Sequence, residues 1–144
     1  MEHYRKLEAM YAAAPINRFY QPELRVTEGR AEVTITVGEH LFHSAMAMHG
    51  SVYFKMLDDA AWFASNSVVL DVFVLTTHFE VALHRPVSSG LIRAVGLVDT
   101  IDERRVHAHA ELFDEQGTLL GRGSGRFAMS TRALTSVPSY RSPT

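Results

Sequence analysis

Cysteine is absent from all 144 residues, which excludes a thiol nucleophile, a thiolate metal site and a disulfide framework. No long apolar run occurs either. Uninterrupted stretches such as Ala60 to Ala64 are far too short to cross a bilayer. The first residues, Met-Glu-His-Tyr-Arg-Lys-Leu-Glu, are charged from the start and predict no secretory signal. Nor is one sign of charge in excess: fourteen Lys and Arg stand against sixteen Asp and Glu, for a formal charge of −2. The concentrated positive field that nucleic acid or an anionic membrane requires is therefore missing. Repeats, low-complexity blocks and Gly/Ser linkers are missing too. What is present, 47% hydrophobic and 21% charged residues, is the composition of an ordinary globular domain. A chain of this length buries a sufficient core without a metal or disulfide staple. The expectation is a cytoplasmic protein acting on a small molecule, with no nucleic-acid or membrane partner.

Periodicity sets the elements. From Glu2 to Ala14, Tyr4, Leu7, Tyr11 and Ala14 recur at spacings of three and four, and Pro15 ends the pattern, which predicts a short amphipathic helix. Arg30 to Val37 alternates, with Ala31, Val33, Ile35 and Val37 on one face, and predicts a strand. From about Gly50 to Ser67, Val52, Met56, Leu57, Ala60, Ala61 and Ala64 follow helical spacing. Phe54, Trp62 and Phe63 widen the stripe until little polar face is left, so this helix is predicted to be enclosed. Four strands follow, over Phe73–Leu83, Leu91–Thr100, Arg104–Phe113 and Thr118–Met129. Gly121, Gly123 and Gly125 recur with period two in the last of them, which requires something packed closely against that backbone. The expected domain spans residues 1–130, and 131–144 reads as a loose tail. One sheet hides an almost wholly apolar helix only by curling around it. The predicted fold is α+β, a strongly curved antiparallel sheet wrapped on a central helix. Its unsatisfied edge points to a homodimer or a dimer of dimers.

Chemistry concentrates at the enclosed helix. His49-Gly50-Ser51 opens it, and Asp58 and Asp59 lie about two turns further in. A carboxylate inside an apolar helix is costly unless paired or used. Successive helical residues are roughly 100° apart, so only one of the two aspartates faces a given side. Through spacings of four and seven, Asp58 shares a face with Phe54 and Ser51, which this reading places beside the amide-rich helix start. Those N–H groups polarise a carbonyl oxygen, and a carboxylate nearby attacks an acyl carbon or activates water. Asp59 reads as structural, and His49 as an orienting residue at the helix start. His40-x-x-His43 and His107-x-His109-x-Glu111 lack a third ligand at a suitable spacing, so no metal is expected.

The run His49-Gly50-Ser51-Val-Tyr-Phe-Lys-Met-Leu-Asp58 resembles the His-Gly-Gly, seven positions, acidic-residue pattern of hotdog-fold acyl-CoA thioesterases of the PaaI-like, phenylacetate-pathway type. The likeness continues through Thr76-Thr77, Arg85-Pro86, Gly90, Glu103-Arg104-Arg105 and Gly125-Arg126-Phe127. It implies a hotdog fold and hydrolysis of an acyl-CoA thioester, with coenzyme A entering as part of the substrate and no separate cofactor. It makes Asp58 the nucleophile or general base, the Gly50 amide the carbonyl's donor, and Thr76 a residue that orders the hydrolytic water. His49, Ser51 and Thr77 fall at substrate-binding positions, and Arg104 and Arg105 at a turn that touches the CoA nucleotide. The chain departs from the pattern twice: His43 stands where the family has Asn or Gln, and Ser51 replaces the second glycine. The alternative is a non-catalytic module binding acyl-CoA or acyl carrier protein, although the chain offers no basic helix pair for a DNA-binding sensor.

Overall fold

The computed structural model of the protein describes residues 1–143. Helix α1 (Glu2–Ala13) and a single turn α2 (Asn17–Tyr20) lead into strands β1 (Glu23–Thr27) and β2 (Arg30–Val37). The long helix α3 (Gly50–Ser67) follows, and then β3 (Val72–Leu83), β4 (Gly90–Ile101), β5 (Arg105–Phe113) and β6 (Leu119–Ala133). The six strands form one antiparallel sheet in the order β1-β2-β4-β5-β6-β3, with α3 against its inner face. This is the curved-sheet, central-helix architecture expected from the sequence. No helix among the described residues is long and apolar enough to cross a membrane.

Two elements differ from expectation. β1 was not predicted: in Glu-Leu-Arg-Val-Thr only Val26 is buried, so five residues carry too little alternation to declare a strand. Pairing with β2 through the Gly29 turn makes it one. The residues expected to be loose from Thr131 onward begin with three more residues of β6, and Leu134 is fully buried. Tyr140 then reaches back to α1. Its hydroxyl donates to His3 Nδ1 at 2.6 Å, while His3 Nε2 donates to the Asn66 carbonyl at 2.8 Å. That arrangement needs a neutral imidazole, and burial holds the His3 pKa below its ordinary value.

The helix approaches the sheet where side chains are smallest. Ala31, Gly96, Ala110 and Gly123 lie side by side across β2, β4, β5 and β6. A Cβ at Gly96 would stand 2.2 Å from the Ala60 carbonyl oxygen, so the backbone of α3 rests directly on this strand. The Gly121/Gly123/Gly125 series serves the neighbouring strand. The Phe79 ring of β3 lies over β6, 2.7 Å from where a Gly123 Cβ would be and 2.4 Å from that of Gly125.

One face of α3 fixes β3. Trp62 Nε1 donates to the Val74 carbonyl at 3.0 Å. One turn on, the fully buried Asn66 donates to the carbonyls of Val69 and Val72 and accepts from the Val74 N–H. Residues 58, 62 and 66 of the helix thus run along residues 76, 74 and 72 of the strand. This register delivers Thr76 to Asp58.

Candidate active site

Asp58 is half-buried on α3, and Thr76 Oγ1 donates to its Oδ1 at 3.0 Å. Thr76 pairs with the buried Phe127 of β6, which itself pairs with the buried Val106 of β5, so all three face the helix. Oδ2 of Asp58 has no hydrogen-bond partner among the described residues and is the oxygen available to a reactant. Burial, seconded by the neighbouring Asp59 charge, raises the Asp58 pKa from 3.8 to about 6, against the opposing pull of Thr76 and Lys55.

Asp59 is spent differently. Its Oδ2 accepts from the Tyr11 hydroxyl and from Lys55 Nζ, each at 2.6 Å. The Lys55 ammonium also lies over the rings of Tyr11 and Tyr20, 5.3 and 5.0 Å from their centroids. Asp59 therefore ties α1 to α3.

Because the folded state holds the Asp58 proton more tightly than the unfolded chain does, the carboxyl's contribution to stability is greatest below 3.8. It is lost as pH rises through about 6. Asp58→Asn keeps the acceptor for Thr76 and removes the charge. Thermal melts should show the variant more stable than the parent above about pH 6, with the gap closing by about pH 4.

At the helix start, His49 is the N-cap: its Nδ1 accepts from the Ser51 N–H at 3.0 Å and lies 2.8 Å from Ser51 Oγ. The Val52 N–H donates to the His49 carbonyl. With those two occupied, the Gly50 N–H has no partner among the described residues and is the unspent donor of the helix start. His49 thus has the orienting role read from the sequence, and Ser51 is part of the same cap. His43 sits exposed on a turn tied to this end by the Phe42–Met48 bridge, with its Nδ1 accepting from the Ala45 N–H. No hydrogen bond joins it to Asp58.

The two groups of residues do not meet within one chain. Gly50 and Asp58 are eight residues apart on a continuous helix, about 12 Å at 1.5 Å per residue. The sequence reading that put Asp58 beside its own helix start is corrected here: sharing a face is not sharing a height. The remaining expected residues lie elsewhere. Thr77 is the extra residue of a bulge in β3, and its Oγ1 donates to the Arg126 carbonyl. Arg104 and Arg105 form the β4–β5 turn, where Asp102 Oδ1 accepts from both of their N–H groups. Arg105 alternates with the buried Val106, so its side chain is on the opposite face of the sheet from Asp58.

A cavity of about 420 Å³ opens beside Asp58 and Thr76. Its apolar walls include Met10, Trp62, Phe63, Phe73, Val137 and Pro138. A groove of about 500 Å³ on the outer sheet face, lined by Glu80, His109, Glu111 and Arg122, has no access to that carboxylate. Of the residues weighed as metal ligands, His109 pairs with Asp99 at 2.6 Å and Glu111 takes Arg122 at 3.1 Å.

A family model described as the thioesterase superfamily matches residues 47–120, just over half of the chain and including all of α3. No curated protein matches by sequence. Among solved structures, the PaaI protein of the Escherichia coli phenylacetic acid degradation operon superposes with a TM-score of 0.82 at 17% identity, covering 92% of this chain and 99% of that one. A thioesterase of Haemophilus influenzae gives 0.77 at 15% identity, covering 85% and 87%. A conserved protein of Pseudomonas aeruginosa gives 0.77 at 24% identity, covering 81% and 94%. At these identities the likeness establishes the hotdog fold.

Proposed function

The chain belongs to the thioesterase superfamily, and we propose that it hydrolyses acyl-CoA thioesters in a site built by two copies of itself. The observation that carries this reading is the pairing of two unspent groups that one chain keeps about 12 Å apart: a half-buried carboxylate oxygen and an unpartnered helix-start N–H. Gly50, Phe54 and Asp58 follow one another at i, i+4 and i+8 on one face of α3, and Phe54 is 40% exposed. A twofold axis through Phe54 would set two such helices antiparallel and bring each Asp58 to the partner subunit's Gly50. β3 is one of the two outer strands of the sheet and supplies the edge along which the copies pair.

In this site the thioester oxygen accepts from the partner subunit's Gly50 N–H, whose position next to the helix dipole stabilises the oxyanion. Asp58, steadied by Thr76, takes a proton from the attacking water. The water oxygen bonds to the acyl carbon, the C–S bond breaks, and the proton goes to the departing CoA sulfur. Direct attack by Asp58 uses the same geometry and forms an anhydride that water then opens. His43 and the Nε2 side of His49 stand at the donor end, where they meet the CoA arm. Arg104, on the β4–β5 turn, stands further along the sheet, suited to its phosphates, while Arg105 lies on the opposite face.

Release of CoA thiol from a panel of short, medium and aryl acyl-CoAs, followed with a thiol reagent, tests the activity. The expected kcat/KM rises with pH along a limb centred near 6, because the ionised Asp58 is the working form. Absence of release from every member, or a rate flat in pH across that limb, contradicts the reading.

A further inference from the structure

The matched family segment, residues 47–120, supplies Trp62, Phe63 and Phe73 to the cavity beside Asp58, but part of the lining lies beyond it, in a turn that carries Val137 and Pro138. That turn is fixed at both ends. Leu134 before it is fully buried, and its N–H donates to the Asp71 carbonyl at 2.9 Å. The Val137 N–H donates to the Leu134 carbonyl at 2.9 Å, and the Tyr140 N–H to the Val137 carbonyl at 3.2 Å. Between those last two stand Pro138 and then Ser139 at φ +69°, the arrangement of a type II turn. The Tyr140 hydroxyl bonds His3, which bonds the Asn66 carbonyl. Both anchors therefore sit level with Asn66, since Asn66 itself bonds the Val72 carbonyl next to Asp71. Asn66 is eight residues along α3 from Asp58, or about 12 Å at 1.5 Å per residue. The charged neighbours Lys55 and Asp59 are spent on each other and on Tyr11, so the lining between Asp58 and this turn is chiefly apolar.

We infer, resting on the proposed thioesterase reading, that Val137 and Pro138 are specificity-determining residues that form the end wall of the acyl site, and that the substrate class is a straight-chain acyl thioester of medium length. The acyl carbon lies at Asp58, and the methylenes run along Trp62, Phe63 and Phe73 until the chain end meets the turn. An extended chain of about eight to about ten carbons covers the span of about 12 Å from Asp58 to the anchored level. Each methylene added within that span leaves water for the apolar lining and strengthens binding of the transition state. A longer chain has no such gain: it displaces an anchored turn or leaves its end in water.

The test measures kcat/KM for straight-chain acyl-CoAs of about four to about sixteen carbons. In the unaltered chain it is expected to rise by up to about 4-fold per methylene to an optimum at about eight to about ten carbons. The longest member should fall about 10-fold or more below that optimum. Val137→Phe should move the optimum shorter by about two carbons and leave the shortest member within about 3-fold. Val137→Ala should move it longer. Opposite shifts are the mark of a wall, because a merely structural role would lower every length alike. Should the larger side chain prevent folding, Val137→Ala and the profile of the unaltered chain carry the test. A kcat/KM still rising at the longest member overturns the inference, as does an optimum unmoved by Val137→Ala. Absence of turnover with any member instead defeats the thioesterase reading, so the two failures are distinguishable.

Discussion

Asp58→Asn is expected to lower kcat for thioester hydrolysis by about 10²-fold or more, whereas Asp59→Asn is expected to leave it within about 5-fold. The two side chains are adjacent and chemically identical, so the difference rests entirely on what each oxygen touches. Asp58 gives one oxygen to Thr76 and keeps the other, and burial lifts its pKa toward the range in which a carboxylate accepts a proton usefully. Asp59 has Lys55 and Tyr11 on a single oxygen and links two helices. Its amide variant weakens a charge-assisted pair and should cost stability, about 1–3 kcal/mol, more than rate. Steady-state kinetics with thermal melts on both variants checks this. Equal losses of kcat would mean that the face of α3 carrying Asp58 has no special chemistry.

The second large effect concerns folding. Gly96→Val is expected to prevent folding, and Gly96→Ala to lower the unfolding free energy by roughly 2–4 kcal/mol. Added atoms at Gly96 meet the Ala60 carbonyl and the Ala61 N–H, which are backbone and cannot rotate away. At Gly123 the obstacle is the Phe79 ring, a side chain able to move, so Gly123→Ala should cost less than Gly96→Ala. Denaturant titration of the soluble variants ranks the two, and the reverse order would mean that α3 does not rest on β4 as described.

These two effects divide what the sequence could announce from what it could not. The enclosed helix was legible to its ends, because an apolar stripe of that width has few alternatives and His49-Gly50 starts it cleanly. β2 was legible from strict alternation. Gly96 was not, since a lone glycine inside an alternating run gives no hint of which backbone will press on it. The glycine series in β6 announced a close approach without naming its source, which proved to be β3: the Phe79 ring at Gly123 and Gly125 and the Ala82 carbonyl at Gly121. Asp58 was found by its setting, a carboxylate in an apolar helix, and Thr76 came only with the family resemblance. The error over Gly50 arose from reading helical faces without helical rise. The Tyr11–Asp59–Lys55 cluster was missed because its meaning depends on α1 and α3 meeting, a contact no local pattern encodes.

The account turns on Asp58 and Gly50 acting from different subunits, and subunit mixing examines this directly. Gly50 is the first residue of α3, a position where proline is tolerated. The residue before it, His49, already has the extended backbone that proline requires, at φ −63° and ψ 144°. Gly50→Pro therefore deletes the N–H and spares the helix, with Gly50→Ala as the control for the added carbon. Gly50→Pro and Asp58→Asn should each be nearly inactive alone. Co-expressed, half of the resulting dimers pair the two variants, and each such dimer holds one intact site, so about a quarter of the parental activity should return. No recovery in a mixture shown to contain the paired dimer would contradict the account.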